Sequence, residues 1–209
     1  MIELEHVSLT IKNIKILKDI SFTVDKGEIV GFVGPNGSGK SMLMKCICGL
    51  NNRFTGSIIV DKKAIGRDVD FAPNTGFIIE KPTFLPYYSG YKNLALLAAV
   101  KGRIGEQEIC DAMEKVGLNP KAKTPVKNYS LGMKQRLGLA QAIMEKPDIL
   151  ILDEPMNGLD AAGISDIRNM LLEGQKAGNT IILASHNPED IKLLCNRVFT
   201  FENGSISGE

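Results

Sequence analysis

The run Gly34-Pro35-Asn36-Gly37-Ser38-Gly39-Lys40-Ser41 lies between the apolar stretch Ile29 to Val33 and the helix-compatible stretch Met42 to Leu50. A buried strand that breaks into a glycine loop and re-enters a helix is a narrow constraint, because only such a loop can turn its main-chain N–H groups inward as a concave nest. The helix that follows adds the positive end of its dipole, so a polyphosphate is held largely by backbone. Lys40 can reach the terminal phosphates, and the Ser41 hydroxyl can serve a magnesium ion, which requires hard oxygen ligands. All eight residues of the loop are therefore expected to bind a nucleoside triphosphate, and ATP with Mg2+ is the expected ligand pair.

A second apolar run, Ile149-Leu150-Ile151-Leu152, ends in Asp153 and Glu154. An α/β sheet presents ligands at the carboxyl ends of its strands, so both acids are expected beside the phosphate loop. Asp153 is placed to share the magnesium shell with Ser41, while Glu154 is placed to orient and deprotonate the water that attacks the γ-phosphate.

Around these motifs the pattern is divided. Ile2 to Val7 and Ile20 to Val24 alternate as strands, and further strand patterns fall at Ser57 to Val60 and Thr75 to Ile79. From Gly90 to Glu145 the period is 3.6, with helices expected over Tyr91 to Val100, Gly105 to Val116 and Gly132 to Glu145. Continuous apolar strands at Ile149 to Leu152, Thr180 to Ala184 and Arg197 to Phe201 then alternate with helices at Ala161 to Gln175 and Pro188 to Leu194. The expected fold class is α/β: a nucleotide-binding core with a mostly parallel sheet and an N-terminal antiparallel part, interrupted by an α-helical lobe. The boundaries expected are 1–81 and 147–209 for the core and 82–146 for the lobe, within one functional domain.

The 25 basic and 24 acidic side chains nearly cancel, so charge points to no nucleic-acid partner. Leu94 to Val100 is far short of the roughly 20 apolar residues that cross a bilayer, and the first residues do not read as a signal peptide, so a cytoplasmic location is expected. Cys46, Cys48, Cys110 and Cys195 lack metal-ligand spacing and are expected to be reduced.

With Tyr129-Ser130-Leu131-Gly132-Met133-Lys134-Gln135-Arg136 placed before the acidic strand, the chain resembles the ATP-binding cassette (ABC) ATPases along its whole length. The resemblance matches this run to the family signature, Asn157-Gly158-Leu159-Asp160 to its D-loop, and Ser185-His186 to its switch histidine. It implies that ATP is closed between two cassettes, with Ser130 and Gly132 of one facing the phosphate loop of the other. Asp160 would align the half-sites, and His186 would contact the γ-phosphate. A homodimer, or a paired cassette, working with a transmembrane permease subunit is the assembly implied, peripheral on the inner face of the membrane. A soluble ABC ATPase, such as a component of iron–sulfur cluster assembly, is the alternative.

Departures from the family pattern accompany these matches. Glu80 stands where most relatives have a glutamine magnesium ligand, and Leu131 and Met133 replace a glycine and a glutamine of the signature. No aromatic for stacking on adenine occurs in Ser8 to Lys12, which offers only Ile11 or a neighbour, so loose discrimination between ATP and GTP is expected. Ile79-Glu80-Lys81-Pro82 with the tyrosine-rich stretch after it is similar to the bacitracin-exporter and lantibiotic-immunity branch. Tyr87, Tyr88 and Tyr91 beside Phe84 are either core of the helical lobe or a groove for a short helix of the membrane partner.

Overall fold

A computed structural model describes residues 1–207. The first layer is antiparallel: β1 (Ile2–Ile11), β2 (Ile14–Val24), β4 (Thr55–Val60) and β5 (Lys63–Ala64) lie in the order β2-β1-β4-β5. β1 and β2 run well beyond the alternating stretches Ile2 to Val7 and Ile20 to Val24, because His6 and Asp19 adopt positive φ (53° and 51°) and shift the register between the strands. Such a bulge interrupts the period of two without ending the pairing, which is why alternation underestimates the strand lengths. The freed N–H groups are satisfied across the pair, His6 N donating to Ser21 Oγ (2.8 Å) and Asp19 N to Ser8 Oγ (2.9 Å). The hairpin turns through Lys12 and Asn13, both at positive φ, as the twist of a tight hairpin demands.

The second sheet contains β3 (Ile29–Val33), β6 (Thr75–Ile78), β7 (Ile149–Asp153), β8 (Thr180–Ala184), β9 (Arg197–Glu202) and β10 (Ser205–Ile206), in the order β10-β9-β3-β8-β7-β6. All neighbours are parallel except β10, which is antiparallel to β9. The helices are α1 (Lys40–Cys48), α2 (Gly90–Lys101), α3 (Glu106–Lys115), α4 (Leu131–Ile143), α5 (Ala161–Lys176) and α6 (Pro188–Leu194).

Strand alternation sends neighbouring residues to opposite faces and so builds two cores. Val30, Phe32, Ile151 and Ile182 pack toward α1 and the antiparallel sheet, where Phe32 and Phe201 have ring centroids 4.8 Å apart. Ile29, Leu150, Leu152, Ile181 and Leu183 face the other way, against Leu94 of α2, Met113 of α3, Leu137 of α4 and Leu171 of α5. The helices of 82–146 thus share their apolar core with the parallel sheet. Buried Cys46 and Cys48 contribute to the first core, and burial pushes the Cys46 thiol up to about 12, so it stays protonated and inert.

Edge strand β6 is seated on α4 by Gly76, where an added Cβ would fall 1.9 Å from the Ala142 carbonyl oxygen. Because the obstacle is helix backbone, Gly76→Ala is expected to cost about 2–3 kcal/mol of unfolding free energy. A urea midpoint equal to that of the parent would contradict this close approach.

Candidate active site

Strands β3, β7 and β8 end together at one edge of the sheet, Asp153 pairing with Ala184 and Phe32 with Ala184 from the other side. This alignment brings the loops 34–39, 154–160 and 185–187 to a common cleft of about 490 Å3, into which Asn36, Ser41, Glu80, Asp153, Glu154 and His186 all project. Helix α1 begins at Lys40, two residues earlier than the apolar pattern indicates, so both Lys40 and Ser41 sit in its first turn. The N–H groups of that turn have no carbonyl partner within the helix and face the loop, as an anion site requires. Gly34 (φ 140°) lets the loop pass the Phe201 carbonyl, 2.3 Å from where a Cβ would stand.

Lys40 Nζ folds back over the loop and donates to the carbonyl oxygens of Gly34 (2.7 Å) and Pro35 (3.0 Å). Burial lowers the ammonium pKa, opposed by the negative charges of Asp153 and Glu154. Ser41 Oγ donates to Asp153 Oδ2 at 2.5 Å, so the two hard oxygens expected to share a magnesium ion already touch. Among the described residues no group of three or more His, Cys, Asp or Glu side chains could hold a metal by itself. The donor set therefore suits an ion that keeps waters and phosphate oxygens in its shell, as magnesium does.

Glu154 carries the most unusual environment. Its backbone has φ 52°, a costly conformation for a residue with a Cβ, and its N–H donates to the Ala184 carbonyl (3.0 Å). Its Oε1 is the one buried side-chain polar atom without a hydrogen bond among the described residues, although His186 Nε2 lies 3.5 Å away. Distance explains the pairing: Nε2 is 2.9 Å from Asn36 Oδ1, so the imidazole proton is directed there. Burial raises the Glu154 pKa above its ordinary 4.5, and the nearby imidazole pulls it partway back. An unbonded carboxylate oxygen of raised basicity at the mouth of a phosphate loop is suited to accept a proton from water. Behind it, Ser185 Oγ donates to the buried Asp190, which also accepts from Arg168, and this network fixes the turn that carries His186.

The sequence profile described as ABC transporter matches residues 17–157. The chain belongs to the ABC transporter family. It is 41% identical to the ABC transporter ATP-binding protein YybJ of Bacillus subtilis over 206 residues, covering 99% of this chain and 94% of that one. The lantibiotic transport ATP-binding protein SrtF of Streptococcus pyogenes is 35% identical over 99% of this chain and 89% of its own length. For the bacitracin transport ATP-binding protein BcrA of Enterococcus faecalis the values are 36%, 100% and 68%. The fold matches the dimeric structure of MJ0796, a bacterial ABC transporter cassette, with a TM-score of 0.90 at 23% identity, over 100% of this chain and 97% of that one. The chain is thus an ABC ATPase, and the expected α/β architecture is the observed one. No helix among the described residues is long and apolar enough to cross a membrane.

Of the expected loop residues 34–41 only Asn36 and Ser41 line the cleft, and the expected site residues Ser130, Gly132 and Asp160 lie outside it. Ser130 caps α4, its Oγ accepting from Met133 N (3.1 Å), and Asp160 caps α5, accepting from Gly163 N (3.0 Å). Gly132 abuts Gly158, whose carbonyl oxygen would be 2.8 Å from a Cβ on Gly132. The two helix N-termini are therefore neighbours, and Leu131, between Ser130 and Gly132, lines the cleft, so their surface adjoins it. Glu80 reaches the cleft, but its carboxylate is held by Lys45 of α1 (2.5 Å) and not by the Ser41–Asp153 pair. The replacement of a neutral amide by a carboxylate explains this, because a lysine one turn along α1 attracts it. Sequence reasoning missed Lys45, and it included Gln135 and Asn157 only as members of the signature and D-loop runs, without a role of their own; the local signal for Gln135 is a polar residue on a face that helical periodicity assigns to the interior. Ile11, in place of a stacking aromatic, is half-buried against the N-terminal core.

Proposed function

We propose that this ABC ATPase hydrolyses MgATP between two cassettes and drives a separate membrane permease that exports an antibiotic-like or peptide compound from the cytoplasmic face. The division of the site carries this reading: Ser41, Asp153 and Glu154 line one cleft with Lys40 folded over the adjoining loop, while Ser130 and Gly132 at the capped N-terminus of α4 lie outside that cleft, which only Leu131 of this helix end reaches, and leave the dipole to offer a second anion. The likeness to a dimeric cassette supports pairing, and the likeness to lantibiotic and bacitracin transport proteins supports an antibiotic-like or peptide cargo. Ser41 and Asp153 would hold a magnesium ion, which would supply neutralisation of phosphate charge. Glu154 then orients water and takes its proton, and the His186–Asn36 contact keeps the imidazole at the phosphate end of the cleft.

If both halves are needed, turnover per molecule rises with protein concentration until pairing saturates. A rate per molecule independent of dilution, in samples shown to be single subunits, would end the two-cassette reading.

For the permease surface, the tyrosine stretch divides. Phe84 and Tyr91 pack on the core, whereas Tyr87 is 77% exposed with Lys127 Nζ over its ring at 4.8 Å, and Tyr88 is half-exposed. A second apolar surface is a cleft of about 320 Å3 between β6 and the C-terminal part of α2, lined by Phe77, Leu97 and Val100 and edged by Lys101 and Arg103. Both suit an amphipathic helix of the permease. Replacing Tyr87 and Tyr88 together by alanine is expected to abolish co-purification with the permease while leaving basal ATPase activity intact. Retained co-purification would remove the tyrosines from that surface.

A further inference from the structure

The buried positions of α4 are apolar or glycine except Gln135. A buried amide demands partners, and this one has two: Gln135 Nε2 donates to the carbonyl oxygens of Glu154 (3.2 Å) and Pro155 (3.1 Å). A glutamine amide has two N–H donors, so a single side chain can hold two consecutive carbonyls. Those carbonyls fix the chain on the C-terminal side of Glu154, while its own N–H to Ala184 fixes the other side, and together they hold the residue at φ 52°, a conformation that persists only where the surroundings over-determine it. Four residues earlier on the same helix face, Leu131 rests against Gly158, close enough that a Cβ there would lie 2.7 Å from its Cδ2. Helix α4 therefore grips the turn after β7 at both ends, by hydrogen bonds at residues 154–155 and by an apolar contact at residue 158.

We propose that Gln135 is a positioning residue that ties the aim of Glu154 to the seating of α4, so that engagement at the Ser130 end of the helix sets the carboxylate of the same chain. This rests on the two-cassette reading above, in which that end of α4 meets nucleotide held by the partner. Its consequence is that the two sites of a pair are coupled through each chain: ATP captured in one site prepares the base of the other.

Gln135→Leu keeps the approximate volume and removes both donors. In the purified full chain its kcat is expected to fall roughly 30-fold, within the range that proton-transfer catalysis supplies, with KM and melting temperature close to the parent. Gln135→Leu combined with Glu154→Gln should still pair on adding ATP, as read by gel filtration. Gln135→Glu supplies a discriminating pH signature. Ionised, its carboxylate only accepts hydrogen bonds and faces two carbonyl oxygens; protonated, it donates one. Its deficit relative to the parent should therefore shrink between about pH 8 and about pH 6. Pairing intact with turnover of Gln135→Leu within about twofold of the parent overturns the coupling alone. A deficit of Gln135→Glu that does not vary with pH, accompanied by a matching loss of melting temperature, overturns it in favour of a structural role. Turnover lost in variants of a chain that never pairs overturns both the coupling and the two-cassette reading.

Discussion

Glu154→Gln is expected to lower kcat by about 10²- to 10⁴-fold, the range that a positioned general base contributes, while leaving ATP binding intact. The substitution keeps the shape of the side chain and the backbone at φ 52°, held by Ala184 and Gln135, none of which depends on the carboxylate. What disappears is the basic Oε1 without a hydrogen bond. Removing a negative charge beside Asp153 also lessens repulsion toward nucleotide phosphates, so the ATP-bound pair should accumulate and not reopen. Gel filtration at saturating ATP checks this directly, and a variant that elutes as a monomer contradicts it. The pH profile provides a second check. The base form exists only above the Glu154 pKa, and burial raises that pKa above 4.5, so the acid limb of kcat lies on the alkaline side of an ordinary carboxylate's and vanishes in the glutamine variant.

Lys40→Ala is expected to weaken nucleotide affinity by roughly 10- to 100-fold, since a hydrogen bond to a charged group contributes about 1.5–3 kcal/mol. Lys40 is 6% exposed, so its ammonium pays a desolvation cost visible in its lowered pKa, offset here by two carbonyls and the nearby acids. A phosphate in the cradle offers that ammonium a full counter-charge in a water-poor setting, where attraction is least screened. The apo protein should tolerate the change because Gly34 and Pro35 line a second open pocket, beside His186, where their carbonyls can turn to water. Calorimetric titration with a non-hydrolysable ATP analogue measures the effect. An affinity within about threefold of the parent would mean that the loop backbone alone holds the phosphates. The pair of variants separates roles: one loses binding, the other loses only the step after it.

Much of this is legible in the amino-acid sequence. The glycine loop at residues 34–41 and the acidic strand end at Asp153 and Glu154 are local patterns, each enforced by bonds within a few residues, and the parallel core follows from uninterrupted apolar strands. The bulges at His6 and Asp19 were not legible, because a residue at positive φ leaves no trace in hydrophobic period. Nor was Glu80's attachment to Lys45, which joins positions 35 residues apart and depends on how α1 faces the end of β6.

The chain's order of residues by itself determined that a polyphosphate would be bound by backbone at one helix start, since loop geometry and helix dipole are properties of contiguous sequence. Tertiary structure alone decided which oxygen of Glu154 stays unpaired, that Leu131 at the start of α4 reaches the cleft while Ser130 does not, and that a glutamine on α4 grips the turn after β7. Those outcomes depend on the packing of elements far apart in the chain, where burial and distance, unlike propensity, have no local signature.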